Sequence, residues 1–373
     1  MGQGSSDHGI WNRNRSNNTL DQPGCALARK NHYVELVVDQ GTSAPGGETA
    51  PGPPQDRLGR PLRSLRLSVT DRCNLRCRYC MPETDYQWLP RGELLDFDEL
   101  SRLIDRFCKV GVSRVRVTGG EPLLRRGLSK LIERIAAKPA IRDLALTTNG
   151  LLLRQQATAL RDAGVARLTV SLDTLRPKRF EALTRRDALA EVLAGIRAAN
   201  RAGFACESGP TAPGLARLKI DTVVMQGINE DELCPLLDFA AEVSAELRFI
   251  EYMDVGGATR WSADGMVTRA AILAAIEQQL GTPTPLPGRG AAPAERFALP
   301  DGRTFGVVAS MTEPFCQACD RSRLTSDGFW YQCLYAQSGI DLKTPLRGGA
   351  SNRELAALID HCWRERSDRG AEE

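Results

Sequence analysis

Between residues 65 and 252 the chain repeats one pattern six times: a short run fit for a strand, then an amphipathic stretch of helical period. The runs are 65–70, 114–118, 143–148, 167–172, 218–224 and 246–252. Strands alternating with helices pair in parallel, because each crossover helix returns the chain to the same end of the sheet. Helix ends are also marked. Asp96 with Glu99 three places on forms a capping-box start, and Gly111 stops that helix. Six strands fall short of a full (β/α) barrel. The expected fold is α/β, a partial (β/α)6 TIM-like barrel whose lateral opening is covered by a C-terminal α+β region.

The strands also say what faces inward. In 65–70, Leu65, Leu67 and Val69 oppose Arg66, Ser68 and Thr70; in 114–118, Val115 and Val117 oppose Arg114, Arg116 and Thr118. In 167–172, Leu168, Val170 and Leu172 oppose Thr169 and Ser171. Side chains alternate faces along a strand, and helices cover the apolar one. The polar face then looks into the barrel and makes a chamber lined by arginine and hydroxyl groups. Run 246–252 fits this alternation poorly.

Outside the repeats, residues 1–56 are rich in Gly, Pro, Ser and Asn and read as a disordered extension, with one short strand expected at Tyr33–Asp39. The barrel is expected over 57–255 and the C-terminal region over 256–373. Residues 208–214 read as a surface-loop insertion, and the stretch 281–293 as a Pro/Gly break. Beyond it come β-like segments at 303–310, 321–326 and 329–334 and a final helix near 352–365. Net charge is +3, from 49 basic and 46 acidic residues, too balanced for a nucleic-acid binder. No apolar run reaches membrane-span length, and the first 60 residues lack a signal-peptide core, so the cytoplasm is expected.

Eleven cysteines, an odd number, point to metal or redox chemistry and away from a disulfide framework. Six of them form two triads: Cys73, Cys77 and Cys80 directly after the first strand, and Cys316, Cys319 and Cys333. The other five (Cys25, Cys108, Cys206, Cys234, Cys362) show no ligand spacing, and Cys108 sits in an apolar helix pattern. Three thiolates can hold three corners of a [4Fe–4S] cube and leave one iron open, whereas structural zinc wants four Cys or His ligands. The histidines are His8, His32 and His361, so none lies near either triad. A zinc site with a remote fourth ligand is the competing reading. In the second triad, Asp327-Gly328 signals a hairpin. A two-residue loop would pair Ser322 with Cys333 and bring that thiol to Cys316 and Cys319. Arg321 and Arg323 share one face of the hairpin, and arginine forks suit phosphate or purine acceptors.

The first triad resembles that of radical S-adenosylmethionine (SAM) enzymes, and Gly119-Gly-Glu-Pro122 after the second strand resembles their SAM amino-group motif, with Glu121 as an acceptor. Both triads together, with Cys319-Asp-Arg-Ser-Arg323, Leu65-Arg-Leu-Ser-Val-Thr-Asp-Arg-Cys73, Leu146-Thr-Thr-Asn-Gly150 and Arg248-Phe-Ile-Glu-Tyr-Met-Asp-Val-Gly256, closely resemble the GTP 3′,8-cyclase family (MoaA in bacteria) from about Leu58 to Arg369. The resemblance implies a lyase of the radical SAM fold type. It would carry two [4Fe–4S] clusters and SAM and perform the first step of molybdenum cofactor biosynthesis. The open iron of the first cluster would chelate SAM, whose 5′-deoxyadenosyl radical would take the ribose 3′ hydrogen of GTP before the carbon radical attacks C8 of guanine. The free iron of the second would bind the guanine edge. By matching position, Tyr79, Gly120, Ser171 and Met253 would contact SAM. Arg66, Arg116, Thr147, Lys219, Arg321, Ser322 and Arg323 would hold GTP, with Arg66, Arg321 and Arg323 closest to the chemistry. A reducing electron donor, cyclic pyranopterin monophosphate synthase as the next enzyme, and a homodimer are implied partners; nucleic acid and membrane are not. Family chains close with a Gly-Gly tail thought to reach the active site. This chain runs Asp368-Arg-Gly-Ala-Glu-Glu373, so binding of clusters and SAM with impaired cyclisation is the expectation. Two alternatives are another radical SAM enzyme with an auxiliary cluster, such as a peptide-modifying one, and a non-catalytic iron–sulfur or zinc protein.

Overall fold

The computed structural model describes residues 53–81, 83, 85–205, 217–253 and 261–372. The short strand expected at 33–39 and the insertion at 208–214 lie outside them. The six repeated strands are β1 (Ser64–Ser68), β2 (Arg114–Thr118), β3 (Asp143–Thr148), β4 (Arg167–Ser171), β5 (Leu218–Val224) and β6 (Glu246–Glu251). The C-terminal region adds β7 (Thr284–Pro285), β8 (Glu295–Ala298), β9 (Thr304–Val308), β10 (Arg321–Leu324), β11 (Phe329–Tyr331) and β12 (Ile340–Asp341). All twelve belong to one sheet of order β12-β11-β10-β1-β2-β3-β4-β5-β6-β9-β8-β7. It is not closed on itself.

The parallel core is larger than the six repeats. β10 pairs parallel with β1 and β9 parallel with β6, so the C-terminal region closes on the partial barrel by continuing its sheet at both edges. Neither addition could be read from helix–strand periodicity, because no crossover helix of the repeat precedes them. Helices cover the outer face. Phe97–Lys109 has the expected capping box of Asp96 and Glu99, and Gly111 takes the left-handed conformation (φ +118°) that ends it. Leu65, Leu67, Val115, Val117, Leu168 and Val170 are buried on that face. No helix among the described residues is long and apolar enough to cross a membrane.

The irregular run at 246–252 has a reason. Leu247 and Phe249 take the apolar face, but Glu251, next on that face, is a fully buried carboxylate. It accepts from the backbone N–H groups of Arg269 (2.7 Å), Met311 (2.9 Å) and Thr312 (3.0 Å). Glu251 ties the end of the barrel to the C-terminal region, so local pattern gave way to a tertiary hydrogen-bond set.

Candidate active site

Parallel pairing puts the two triads at opposite ends of the lumen. The loop of Cys73, Cys77 and Cys80 leaves the C-terminal end of β1. Arg321 of β10 is the register partner of Ser64, the first residue of β1, so Cys316 and Cys319 lie off the N-terminal end. β11 runs antiparallel to β10 and delivers Cys333 to that same end.

The first loop is docked on β2 by close backbone contact. Gly120 N donates to Thr70 O (2.8 Å) and Glu121 N to Arg72 O (2.7 Å). A Cβ on Gly120 would stand 2.3 Å from Arg72 O, so the glycine pair is demanded by the chain's own backbone. Glu121 is buried, and its oxygens accept from Leu123 N, Thr148 Oγ1 and Asn149 N (3.0, 2.8 and 2.7 Å). Burial pushes its pKa up to about 7 against those bonds. Its carboxylate thereby ties the ends of β2 and β3. Of the other residues expected to meet SAM, Tyr79 is on the triad loop, Ser171 ends β4, and Met253 follows β6, all at this C-terminal end. Tyr79 donates its phenol to buried Asp173 (2.6 Å), a residue sequence reasoning left out; burial and then the Asp173 charge push the phenol pKa well up, so it stays a donor.

Between the triads the lumen is cationic. One row across the sheet reads Arg323, Arg66, Arg116, Ala145, Arg167. The next reads Thr147, Thr169, Lys219, Glu246, and beyond it Ser171, Asp221, Arg248. Arg116 donates to Thr147 Oγ1 (3.0 Å) and Thr169 Oγ1 (3.1 Å). Burial, then the charge of Arg323, brings the Arg66 pKa down to about 9; burial, then Arg66, does the same for Arg116. Burial, then Arg321, lowers Arg323 to about 10. Lys219 is 1% exposed, its ammonium has no hydrogen-bond partner, and Glu246 is 3.7 Å away. Burial, then the charge of Arg248, lowers its pKa to about 7. Glu246 also pairs with Arg248 (3.0 Å) and Arg296 (2.9 Å). Cations crowded this far below their ordinary values make the row a candidate site for an anion.

The hairpin departs from its expected register. Arg323 faces Tyr331 and Leu324 faces Trp330, which leaves a three-residue loop, Ser326-Asp327-Gly328, with Gly328 at φ +89°. Continuing the pairing sets Cys333 opposite Arg321, where the two-residue loop would have set it opposite Ser322. A one-residue shift turns a side chain to the other face of the sheet. Cys333 therefore looks into the lumen and lines a pocket with Arg66, Ser68, Thr118, Arg323 and Tyr331. Ser322 is buried on the other face, in register with Leu65. Of the seven residues expected to hold GTP, six turn their side chains to the lumen, and Ser322 turns its side chain away from it.

Among the described residues, no three His, Cys, Asp or Glu side chains converge tightly enough for a single metal ion. A cube takes one thiolate per corner iron and spreads its ligands wider, so the triads fit a cluster better than zinc. Burial, then the neighbouring Cys73 thiol, holds the Cys80 pKa up at about 12. Cys319 is different: burial raises its pKa, but the charges of Arg321 and Arg366 outweigh burial and bring it below the usual thiol value. Cys234 and Cys362 are buried, while Cys108 is only half-buried.

Residues 67–240 match the Radical SAM superfamily, and residues 245–372 match the Molybdenum Cofactor Synthesis C family. GTP 3′,8-cyclase 1 of Mycobacterium tuberculosis is 53% identical over 323 residues, 86% of this chain and 87% of that one. The GTP 3′,8-cyclase of Streptomyces coelicolor is 47% identical, over 83% of this chain and 87% of its own. The crystal structure of Streptococcus suis SuiB bound to S-adenosylmethionine shares the fold: TM-score 0.54 at 16% identity, over 81% of this chain and 68% of SuiB.

Proposed function

The chain belongs to the GTP 3′,8-cyclase family, and from that premise we propose that the arginine rows between the two triads are where its GTP is held. The enzyme is a radical SAM lyase that converts GTP to (8S)-3′,8-cyclo-7,8-dihydroguanosine 5′-triphosphate, in the first step of molybdenum cofactor biosynthesis. It uses SAM and two [4Fe–4S] clusters. The observation that carries the reading is the cation row Arg323–Arg66–Arg116, set midway between thiol triads at opposite ends of one strand. Cys73, Cys77 and Cys80 hold the first cluster, and Cys316, Cys319 and Cys333 the second. Bound at the first triad, the cluster and SAM supply hydrogen-atom abstraction. The chain's own residues bind and orient. Arg66, Arg116 and Lys219 take phosphate oxygens, Thr147 orients Arg116, and Arg321 and Arg323 aim the nucleotide at the second triad. Tyr79, Gly120, Ser171 and Met253 hold SAM at the other end. The product passes to cyclic pyranopterin monophosphate synthase, an external donor supplies electrons, and the enzyme works in the cytoplasm.

Anaerobic reconstitution with SAM, reductant and GTP tests the reading. Cyclised nucleotide should appear with 5′-deoxyadenosine. Deoxyadenosine formed equally without GTP would point to another substrate. The lowered Lys219 pKa adds a pH signature. Above about pH 7 the empty site has lost this proton, and a bound triphosphate must restore it, so GTP affinity should fall by up to about tenfold per pH unit from about 7 to about 9. Stability of the empty fold runs the other way. The unfolded chain keeps the lysine proton that the folded one has released, so stability rises with pH over that window. Lys219→Met should flatten both slopes; titration calorimetry and thermal melts across pH read them out.

A further inference from the structure

Four charged side chains beside the second triad have no part in the reading above. Asp56 and Arg60 precede β1, while Arg366 and Asp368 follow the helix Asn352–Arg364. Asp56, Arg60 and Arg366 are 6%, 2% and 3% exposed. Burying such ions costs several kcal/mol each unless they are paired and hydrogen-bonded, and here all three nitrogens of each guanidinium donate. Asp56 accepts from the backbone N–H groups of Leu58 and Arg60 and from Arg60 Nε (3.0, 2.8 and 2.6 Å). Arg60 then donates Nη1 to the Cys316 carbonyl (3.0 Å) and Nη2 to the Asp368 carbonyl (2.8 Å). Arg366 forks onto the Asp368 carboxylate through Nε and Nη2, both at 3.0 Å, and donates Nη1 to the Cys319 carbonyl (3.2 Å). Its guanidinium lies over the Trp363 ring, 4.6 Å from the centroid, and the Trp363 indole N–H donates to the Arg60 carbonyl (2.9 Å).

Two buried arginines thus hold the carbonyls of the first and last residues of one short turn, Cys316 to Cys319. The turn itself has no buried residue up to Ala318 and closes on a single bond, Cys319 N to Cys316 O (3.1 Å). Such a segment would otherwise open locally at little cost. Each guanidinium holds one of the two carbonyls through a single N–H, and Arg366 is itself fixed by its fork onto Asp368, so together they restrain the backbone that carries the two thiols. The same strap reaches the third cysteine: a Cβ on Gly370 would stand 2.5 Å from Cys333 Sγ.

We propose that Asp56, Arg60, Arg366 and Asp368 are positioning residues for the second iron–sulfur cluster, a clamp that sets the Cys316–Cys319 turn in ligating geometry before iron arrives. The proposal rests on the reading of Cys316, Cys319 and Cys333 as cluster ligands. The full-length protein is reconstituted anaerobically as wild type, Arg60→Met, Arg366→Met and Arg366→Lys, the last keeping the charge but not the fork. Iron content, the electron paramagnetic resonance signal of each cluster and iron release to a chelator are measured. Each variant should fall from about eight irons toward about four. Any second cluster it retains should have a changed resonance signal and release iron at least about tenfold faster. The first-cluster signal stays as in wild type. About eight irons, released at the wild-type rate in all three, would overturn the proposal. So would parallel loss of both clusters in Arg366→Lys, which would make these residues a general fold element. Cys316→Ser separates the two failures: about eight irons there would refute the ligand reading itself.

Discussion

Cys73→Ser will bring 5′-deoxyadenosine formation down to background while the protein still holds about four irons; Cys316→Ser will hold the same number but keep cleaving SAM and make no cyclised nucleotide. The contrast follows from topology. β1 rises only about 16 Å over its five residues, yet it separates the triads completely, because one loop leaves its C-terminal end and the other arrives at its N-terminal end. No ligand is shared. The first loop is held by Gly120, Glu121 and the backbone of residues 70–72. The second is held by β10, β11 and the buried arginines beyond it. Loss of one thiol therefore leaves the other loop intact. Iron analysis with product chromatography checks both halves, and wild-type cyclisation by Cys316→Ser would refute a role for the second triad.

Arg66→Met is expected to make the empty protein more stable and the enzyme worse. Arg66 stands in register between Arg116 and Arg323, and burial with the charges of Arg323 and Arg321 lowers its pKa to about 9. A methionine fills much of the same space without the repulsion. The gain should be about 1 kcal/mol, seen as a rise in melting temperature of roughly 1–2 °C. GTP binding loses a charge-assisted contact in a desolvated chamber, about 2–4 kcal/mol or roughly 30- to 1,000-fold in affinity. Added GTP should then raise the melting temperature of the wild type more than that of the variant. A variant that melts lower than wild type without GTP would mean that Arg66 supports the fold, and the chamber would not be strained toward an anion.

Much of this architecture could be read from one dimension, because the signals involved are local. Period-two alternation placed Arg66 and Arg116 inside the barrel before any contact was known, and burial of Leu65, Leu67, Val115 and Val117 on the other face agrees. The capping box of Asp96 and Glu99 marked a helix start to the residue. The two triads announced themselves by spacing. Where reading failed, a distant partner had intervened. Glu251 broke the alternation of β6 because Met311 and Thr312 come to it from sixty residues on. Glu121 gained its tie to β3 only when the fold delivered Thr148 and Asn149. Asp173 and Thr169 gained their roles only when Tyr79 and Arg116 reached them.

The thiols themselves show where the division falls. That the cysteines fall into two triads, and that an arginine face accompanies them, is written in spacing and alternation, which are local features of the chain. Which way those thiols point is not. Cys333 faces the lumen because the hairpin loop has three residues instead of two, and β10 stands beside β1 because a strand from late in the chain fills an edge left bare by the repeats. The Cys316–Cys319 turn is set by Arg60 and Arg366, about three hundred residues apart in sequence, whose charges become tolerable in the interior only once Asp56 and Asp368 have met them there.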